Sequence, residues 1–277
     1  MLTPPVVVPD ESEAATVTAS ITARSRAVKL DAPARYPHDM SSRLHQLVIE
    51  SLGQRVVSGE LAAGDTMHAE HLENELGVSR SVVREAVRVL ASLGLVESVK
   101  RVGIRVLPMS SWSLFDPSVI RWRIASEGKG AQLRSLTELR SAVEPAAAEL
   151  AAEHAPDDAA AELMAVAAQM RAVGRSGDLQ KFLELDIHFH SLVLCASGNE
   201  MFTELRGVIG AVLRGRTDYG LMPRHPHEEA LQWHVDVADA IQGRRPDAAR
   251  AAMDKIMRRT TNEVEQVWQD QPRQFLS

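Results

Sequence analysis

The sequence predicts a mainly α-helical protein in two parts: a small helical head finished by a β wing, then an antiparallel bundle built of helices. Three observations predict it. From Thr137 onward, apolar residues recur at helical spacing throughout, interrupted only by short Gly-, Pro- and Asp-containing breaks. Strand-like alternation is confined to residues 95–99 and 103–106. The 277 residues are 45 % hydrophobic but only 4 % aromatic, so Leu, Val and Ala must build the core. Tracts rich in Ala and Leu favour helix.

Taken in order, residues 1–38 are rich in Pro, Ala, Thr and Ser without sustained periodicity and predict a mobile tail. Arg24, Arg26, Lys29 and Arg35 give it a modest positive bias. The head is expected over 39–108. Residues 44–58 predict its first helix, with Leu47, Val48, Ser51, Leu52 and Val56 on one face and Gly59 as the stop. Gly64-Asp65 marks a turn. Residues 72–78 predict a short helix ended by Gly77, and a turn then leads into a helix with Ser79 at its N-cap, poised to bond the free amides of the first turn.

That helix carries two faces. Val82, Val83, Ala86, Val87, Leu90 and Leu93 form an apolar stripe, while Arg80, Arg84 and Arg88 stack on one flank at intervals of four. Gly94 ends it, and the two alternating segments predict a two-stranded wing with Lys100, Arg101 and Gly103 at its tip. Two helices at this spacing form a helix-turn-helix, whose second member enters a DNA major groove while a basic wing follows the phosphates or a minor groove. Residues 79–107 hold six basic residues against two acidic ones, a balance of +4 in a chain whose net charge is −6. A positive patch on an acidic protein is a specific nucleic-acid signal. The bland alternative is a solvated helix face; the frame and the wing decide for duplex DNA. Ser79, Arg80, Ser81, Arg84, Arg88, Lys100, Arg101 and Gly103 are the candidate contacts.

Residues 109–125 are expected to connect the head to the bundle. Asp116-Pro117 opens a short helix by the N-cap and Pro-at-N1 rule, and Trp122 on it is placed to dock one part onto the other. Over 126–270 the sequence predicts a bundle of six or seven helices: one ending near His154, one capped by the run Pro156-Asp157-Asp158 and running to about 173, then 182–196, 201–216, 228–241 and 247–269. Gly174, Gly177 and Asp178 are expected in a turn.

Asp186 and His190 lie four apart on one bundle helix, with Phe189 and Leu185 directed to the core, and His234 on a later helix is a candidate third group. One carboxylate and two imidazoles form a legitimate ligand set for a divalent metal such as Zn, Ni or Mn; an ordinary hydrogen-bonded pair is the alternative. Arg140 can clamp a carboxylate or pair with Glu144 one turn on. Tyr219, Asn199, Arg214 and Arg216 are further pocket candidates, with Asn199 also suited to a helix boundary, and His225 and His227 are expected in solvent.

Residues 57–65 (Val-Ser-Gly-Glu-Leu-Ala-Ala-Gly-Asp), Ser79-Arg80-Ser81-Val82-Val83-Arg84-Glu85-Ala86 and Gly94-Leu95-Val96 resemble the winged-helix domain of the GntR superfamily. His68 stands where Pro is usual there, and His71 where an Arg often touches DNA. Leu139-Arg140, Glu144-Pro145, Asp186 with Phe189-His190, Ser197-Gly198-Asn199, and His234 with Asp239-Ala240-Ile241 resemble the FCD effector domain of the FadR subfamily. That resemblance implies an FCD-type bundle in which Asp186, His190 and His234 hold a metal, with Ile256 where the fourth ligand usually stands. Ile cannot ligate, so coordination positions stay open to an effector's carboxylate and hydroxyl. The segment 116–153 resembles the D-galactonate-operon repressor type, which implies a sugar acid of the galactonate or gluconate kind, a homodimer on an operator, and release of repression by the acid.

Two rival readings come from the same residues. Two histidines and a carboxylate also describe a non-haem iron oxygenase, although no general base or nucleophile set accompanies them and such an enzyme needs no arginine helix. A helical scaffold with a decayed effector site is the other. The single cysteine, Cys195, permits no internal disulfide, no apolar run approaches the roughly 20 residues that span a bilayer, and no secretory signal opens the chain. A cytoplasmic location is therefore expected.

Overall fold

The computed structural model describes residues 38–223, 225–269, 271–273 and 275. The tail expected over 1–38 lies outside them except for His38, which opens α1 (His38–Val57). That helix starts earlier than its apolar pattern predicts. Val48, Ile49, Leu52 and Val56 bury its inner face, whereas Leu47 is 63 % exposed. A buried stripe at spacings of three and four through Val48 leaves its neighbour Leu47 about 100° round the helix.

The helix-turn-helix forms as predicted. α2 (Ala69–Leu76) ends at Gly77, which takes φ 63, and α3 (Arg80–Ser92) follows. The wing differs. Besides β2 (Val96–Val99) and β3 (Gly103–Val106), a short β1 (Thr66–Met67) joins the sheet in the antiparallel order β1-β3-β2. Two residues show no alternation to read, which hid β1 in the sequence. Gly103 permits the pairing: its φ is 114, and a Cβ there would lie 2.4 Å from the Met67 carbonyl oxygen.

α4 (Pro117–Ile124) opens with the Asp116 carboxylate accepting the Ser118 amide at 2.8 Å. Its residues divide between two cores. Val119 and Trp122 join the head core, while Ile120 and Ile124 join Leu133, Leu136, Val208, Val212 and Val264. The Trp122 ring fills the space over Gly53, where an added Cβ would meet it at 2.5 Å. Its indole N–H donates to Glu50 at 2.6 Å, and Arg121 donates to the same carboxylate at 2.6 Å.

The bundle comprises α5 (Lys129–His154), α6 (Asp157–Ser176), α7 (Leu179–Ala196), α8 (Glu200–Glu204), α9 (Arg206–Asp218), α10 (Glu228–Gln242) and α11 (Pro246–Val264). α5 packs on α11 and α7, and α10 on α6 and α11. Several boundaries depart from expectation. Gly174 lies inside α6, where a Cβ would sit 2.9 Å from Leu231; packing, not turning, requires it. Asp157 and Asp158 occupy the first turn of α6, and Pro156 at the N-cap position makes no side-chain bond. The helix expected over 201–216 is two, with Leu205 between them. The last helix stops at Val264, and a 3-10 turn, Glu265–Val267, follows. Cys195 is exposed. Among the described residues no helix is long and apolar enough to cross a membrane.

Candidate nucleic-acid interface and bundle site

Val83, Ala86 and Leu90 are at most 1 % exposed and fix α3 on the head core. The opposite face is solvent-exposed and carries Arg80, Ser81, Arg84 and Arg88. Ser79 occupies the N-cap in an extended conformation, yet its hydroxyl meets the Ser81 hydroxyl at 2.9 Å instead of a backbone amide. The exposed hydroxyl has a partner two residues on, so the amides of this helix start stay open to an outside acceptor, the arrangement that suits a phosphate. Glu85 lies 2.8 Å from Arg88 and 3.6 Å from Arg84. Arg105 is tied to Glu97 on the neighbouring strand at 2.5 Å. Arg80 has no ion pair among the described residues. Lys100 and Arg101 are exposed in the hairpin turn, where Arg101 adopts φ 66. His71 is exposed, with Glu75 at 3.8 Å.

In the bundle, α5, α7 and α10 bring Arg140, Glu144, Asp186, His190 and His234 together, none more than 5 % exposed. Asp186 Oδ1 lies 3.4 Å from His190 Nε2 and 3.5 Å from His234 Nε2. His234 Nδ1 bonds the Ala230 carbonyl at 2.7 Å. A carbonyl only accepts, so Nδ1 carries a proton and the ring turns its Nε2 toward Asp186. His190 Nδ1 abuts the Glu144 carboxylate, which fixes its tautomer the same way. Three electron-pair donors therefore converge, their ligand atoms within 4.8 Å of one another. Acceptors facing acceptors in a buried site need a proton or a cation between them. Phe189 is buried in the core as expected, and its ring also meets both imidazoles edge to face, at centroid distances of 5.7 and 5.1 Å.

The charges of this cluster are strongly coupled. Burial raises Glu144, but the Arg140 and His190 charges outweigh it and hold its carboxyl at about 2. Burial lowers His190, but the Glu144 charge and the bonds to Asp186 and Glu144 push it up to about 9. Asp186 is held well below the carboxylate range by His190 and His234 despite its burial. Without a metal, a proton on His190 takes the cation's place.

Sequence reasoning read Glu144 only as a salt-bridge partner of Arg140. It accepts from Arg140 Nε at 2.5 Å and also orients His190. The periodicity that put Arg140 and Glu144 on one face gave no sign that His190 would meet them.

One cavity adjoins the cluster. Its lumen is about 50 Å³, and its walls include Arg140, Asp186, His190, His234, Ile256, Arg216, Arg259, Thr260 and the loop residues Met222, Pro223, Pro226 and His227. Ile256 is buried at the wall and offers no ligand atom. Tyr219 and Asn199 do not reach this cavity. Tyr219 is 42 % exposed with Lys129 5.5 Å from its ring, and Asn199 caps α8 by accepting the Met201 amide at 3.0 Å. Arg214 points into a different groove, as does Tyr219. Their helices turn those side chains outward. His225 is exposed as expected, resting against Gly177, while the exposed His227 also borders the cavity.

Comparisons with known proteins agree with both halves. Residues 44–106 match the bacterial regulatory proteins of the gntR family, and residues 135–259 match the FCD domain. The chain is 29 % identical to the galactonate operon transcriptional repressor of Escherichia coli K12 over 79 % of its own length and 96 % of the relative's. It is 26 % identical to the transcriptional repressor NanR of Salmonella newport, over 82 % and 85 %. A solved structure of Lar, which controls the expression of the Listeria monocytogenes agr system, shares the fold at 18 % identity and a TM-score of 0.52, covering 81 % of this chain and 97 % of that one. Such relatives are regulators, so the oxygenase reading falls away. Residues 44–106 thus form a gntR-type DNA-binding winged head and residues 135–259 a helical FCD domain, the two parts of a transcriptional regulator.

Proposed function

We propose that the chain is a repressor of sugar-acid catabolism genes, acting as a homodimer whose two α3 helices enter successive major grooves of an operator. In this reading residues 39–108 form the DNA-binding head, 109–125 the connector and 126–270 the effector-binding bundle. Arg80 and Arg84 carry the strongest DNA contacts, because Arg80 is unpaired among the described residues and Arg84 is only loosely held. Arg88, engaged by Glu85, contributes less. Lys100 and Arg101 supply phosphate contacts from the wing, whereas Gly103 serves the hairpin backbone.

The observation that carries the effector reading is the convergence of the two imidazole Nε2 lone pairs on Asp186. The donor set fits Zn, Ni or Mn through Asp186, His190 and His234. A metal held there would act as a Lewis acid on an acid's carboxylate and 2-hydroxyl oxygens. Arg140, whose Nη1 is buried without a partner, is placed to donate to the same carboxylate. Glu144 keeps that guanidinium and the His190 ring in position. An aldonate such as galactonate or gluconate fits this chemistry, and the operon repressed by the Escherichia coli relative points the same way. The lumen has room for a few water molecules, so a six-carbon acid enters by displacing the side of the wall formed by Met222, Pro223, Pro226 and His227.

The test is direct. Purified protein, stripped and reloaded with zinc, is assayed for metal content and for release of its operator by galactonate and gluconate in a gel. Stoichiometric metal and release by an aldonate are expected. Operator binding indifferent to every aldonate, with the metal in place, refutes the effector reading and returns the decayed-site alternative.

A further inference from the structure

We infer that the cavity takes a dianion: a sugar diacid or related dicarboxylate, with Arg216 holding the carboxylate that the metal does not. This rests on the effector reading above and narrows its ligand class. Arg216 comes from α9 and is 2 % exposed. Its Nη2 donates to Glu263 at 3.1 Å, while its Nε is buried with no partner. Arg140 Nη1, from α5, is orphaned in the same way, and both side chains line the one cavity. An unmet buried donor costs about 1–3 kcal/mol. Two orphaned guanidinium donors bordering one cavity mark where a ligand's acceptors belong.

The charge balance separates the two ends. Glu144 neutralises Arg140. Glu263 is shared between Arg216 and Arg259, at 3.1 and 2.7 Å, which leaves one unit of positive charge at that end. A divalent ion on Asp186 and two neutral imidazoles leaves one unit at the other. Arg216 is buried while Arg259 and Glu263 are about a quarter exposed, so a monoanion at the metal end leaves the positive charge at the other end only partly compensated by solvent; a dianion compensates both. Burial above all, and the neighbouring Arg140 charge with it, weaken Arg216's hold on its proton, while Glu263 and Asp186 act the other way.

The test titrates acids of equal chain length into the zinc-loaded full chain by calorimetry: galactonate against galactarate, and threonate against tartrate. Each diacid should bind about tenfold or more tighter than its monoacid, one charged hydrogen bond's worth. Arg216→Gln should close that gap and leave the monoacids within about twofold, since they are held at the metal end. Arg216→Lys, which keeps the charge without the fork, should retain part of it and carries the comparison if the Gln variant loses its helical circular dichroism. Equal affinities within each pair, a monoacid preference, or a gap that survives Arg216→Gln overturns the inference and leaves the effector reading standing. A cavity that takes none of the four acids overturns both.

Discussion

At His190 an arginine, two carboxylates and a second imidazole meet out of solvent, and the cation among them decides the site's behaviour. In the metal-free protein that cation is a proton. His190 is raised from 6.5 to about 9, so it binds its proton more tightly folded than unfolded. The stabilisation is complete below about pH 6.5 and is lost as pH rises through about 9. Thermal melts in chelator should therefore show the midpoint falling across that window, while zinc-loaded protein should hold level, the metal having replaced the proton. A chelated protein equally stable at pH 6.5 and 9 contradicts the assignment. Glu144→Gln removes the carboxylate that Arg140 and His190 share. Leaving the Arg140 charge uncompensated in the core should cost about 3–5 kcal/mol in chemical denaturation. Asp186→Asn removes the charged ligand and should abolish stoichiometric zinc on elemental analysis.

At the scale of elements, α3 and α4 have separable tasks. α3 is held by Val83, Ala86 and Leu90 and presents its arginines outward, so those arginines can change without disturbing the fold. Reversing Arg80 and Arg84 to Glu together should abolish retention of operator DNA in a gel with an unchanged circular dichroism spectrum. Arg88→Ala should weaken binding less, since Glu85 already engages that guanidinium. In α4 the Trp122 ring fills the space above Gly53, and its indole bonds Glu50. Trp122→Ala opens a cavity in the head core and should cost about 3–5 kcal/mol, read as a lower midpoint in urea.

For the whole molecule, the connector matters because it belongs to two cores at once. Val119 and Trp122 pack in the head while Ile120 and Ile124 pack against helices of the bundle. A displacement of α9, which supplies Arg216 to the cavity and Val208 and Val212 to that second cluster, has a packed route to α4 and through Trp122 to α1. Replacing Glu50 with Gln weakens the paired bonds from Arg121 and Trp122 at the head. The variant should still bind operator and acid, with the fold-change in operator affinity caused by galactonate reduced. Full release by the acid in that variant sinks the route.

The sequence by itself determined the two-part helical fold, the arginine face of α3, the cap of α4 at Asp116 and the Asp186–His190 pair. Each rests on local periodicity or a capping rule acting within one or two turns. Only the tertiary structure decided that β1 completes the wing, that Glu144 reaches His190, that Gly174 serves packing, and that Arg216 borders the cavity while Tyr219 and Asn199 do not. Those facts depend on which faces meet between helices far apart in the chain. Arg216 on α9 meets its Glu263 partner across 47 residues, a separation at which helical repeat carries no information. Contact at that range is set by how whole helices pack.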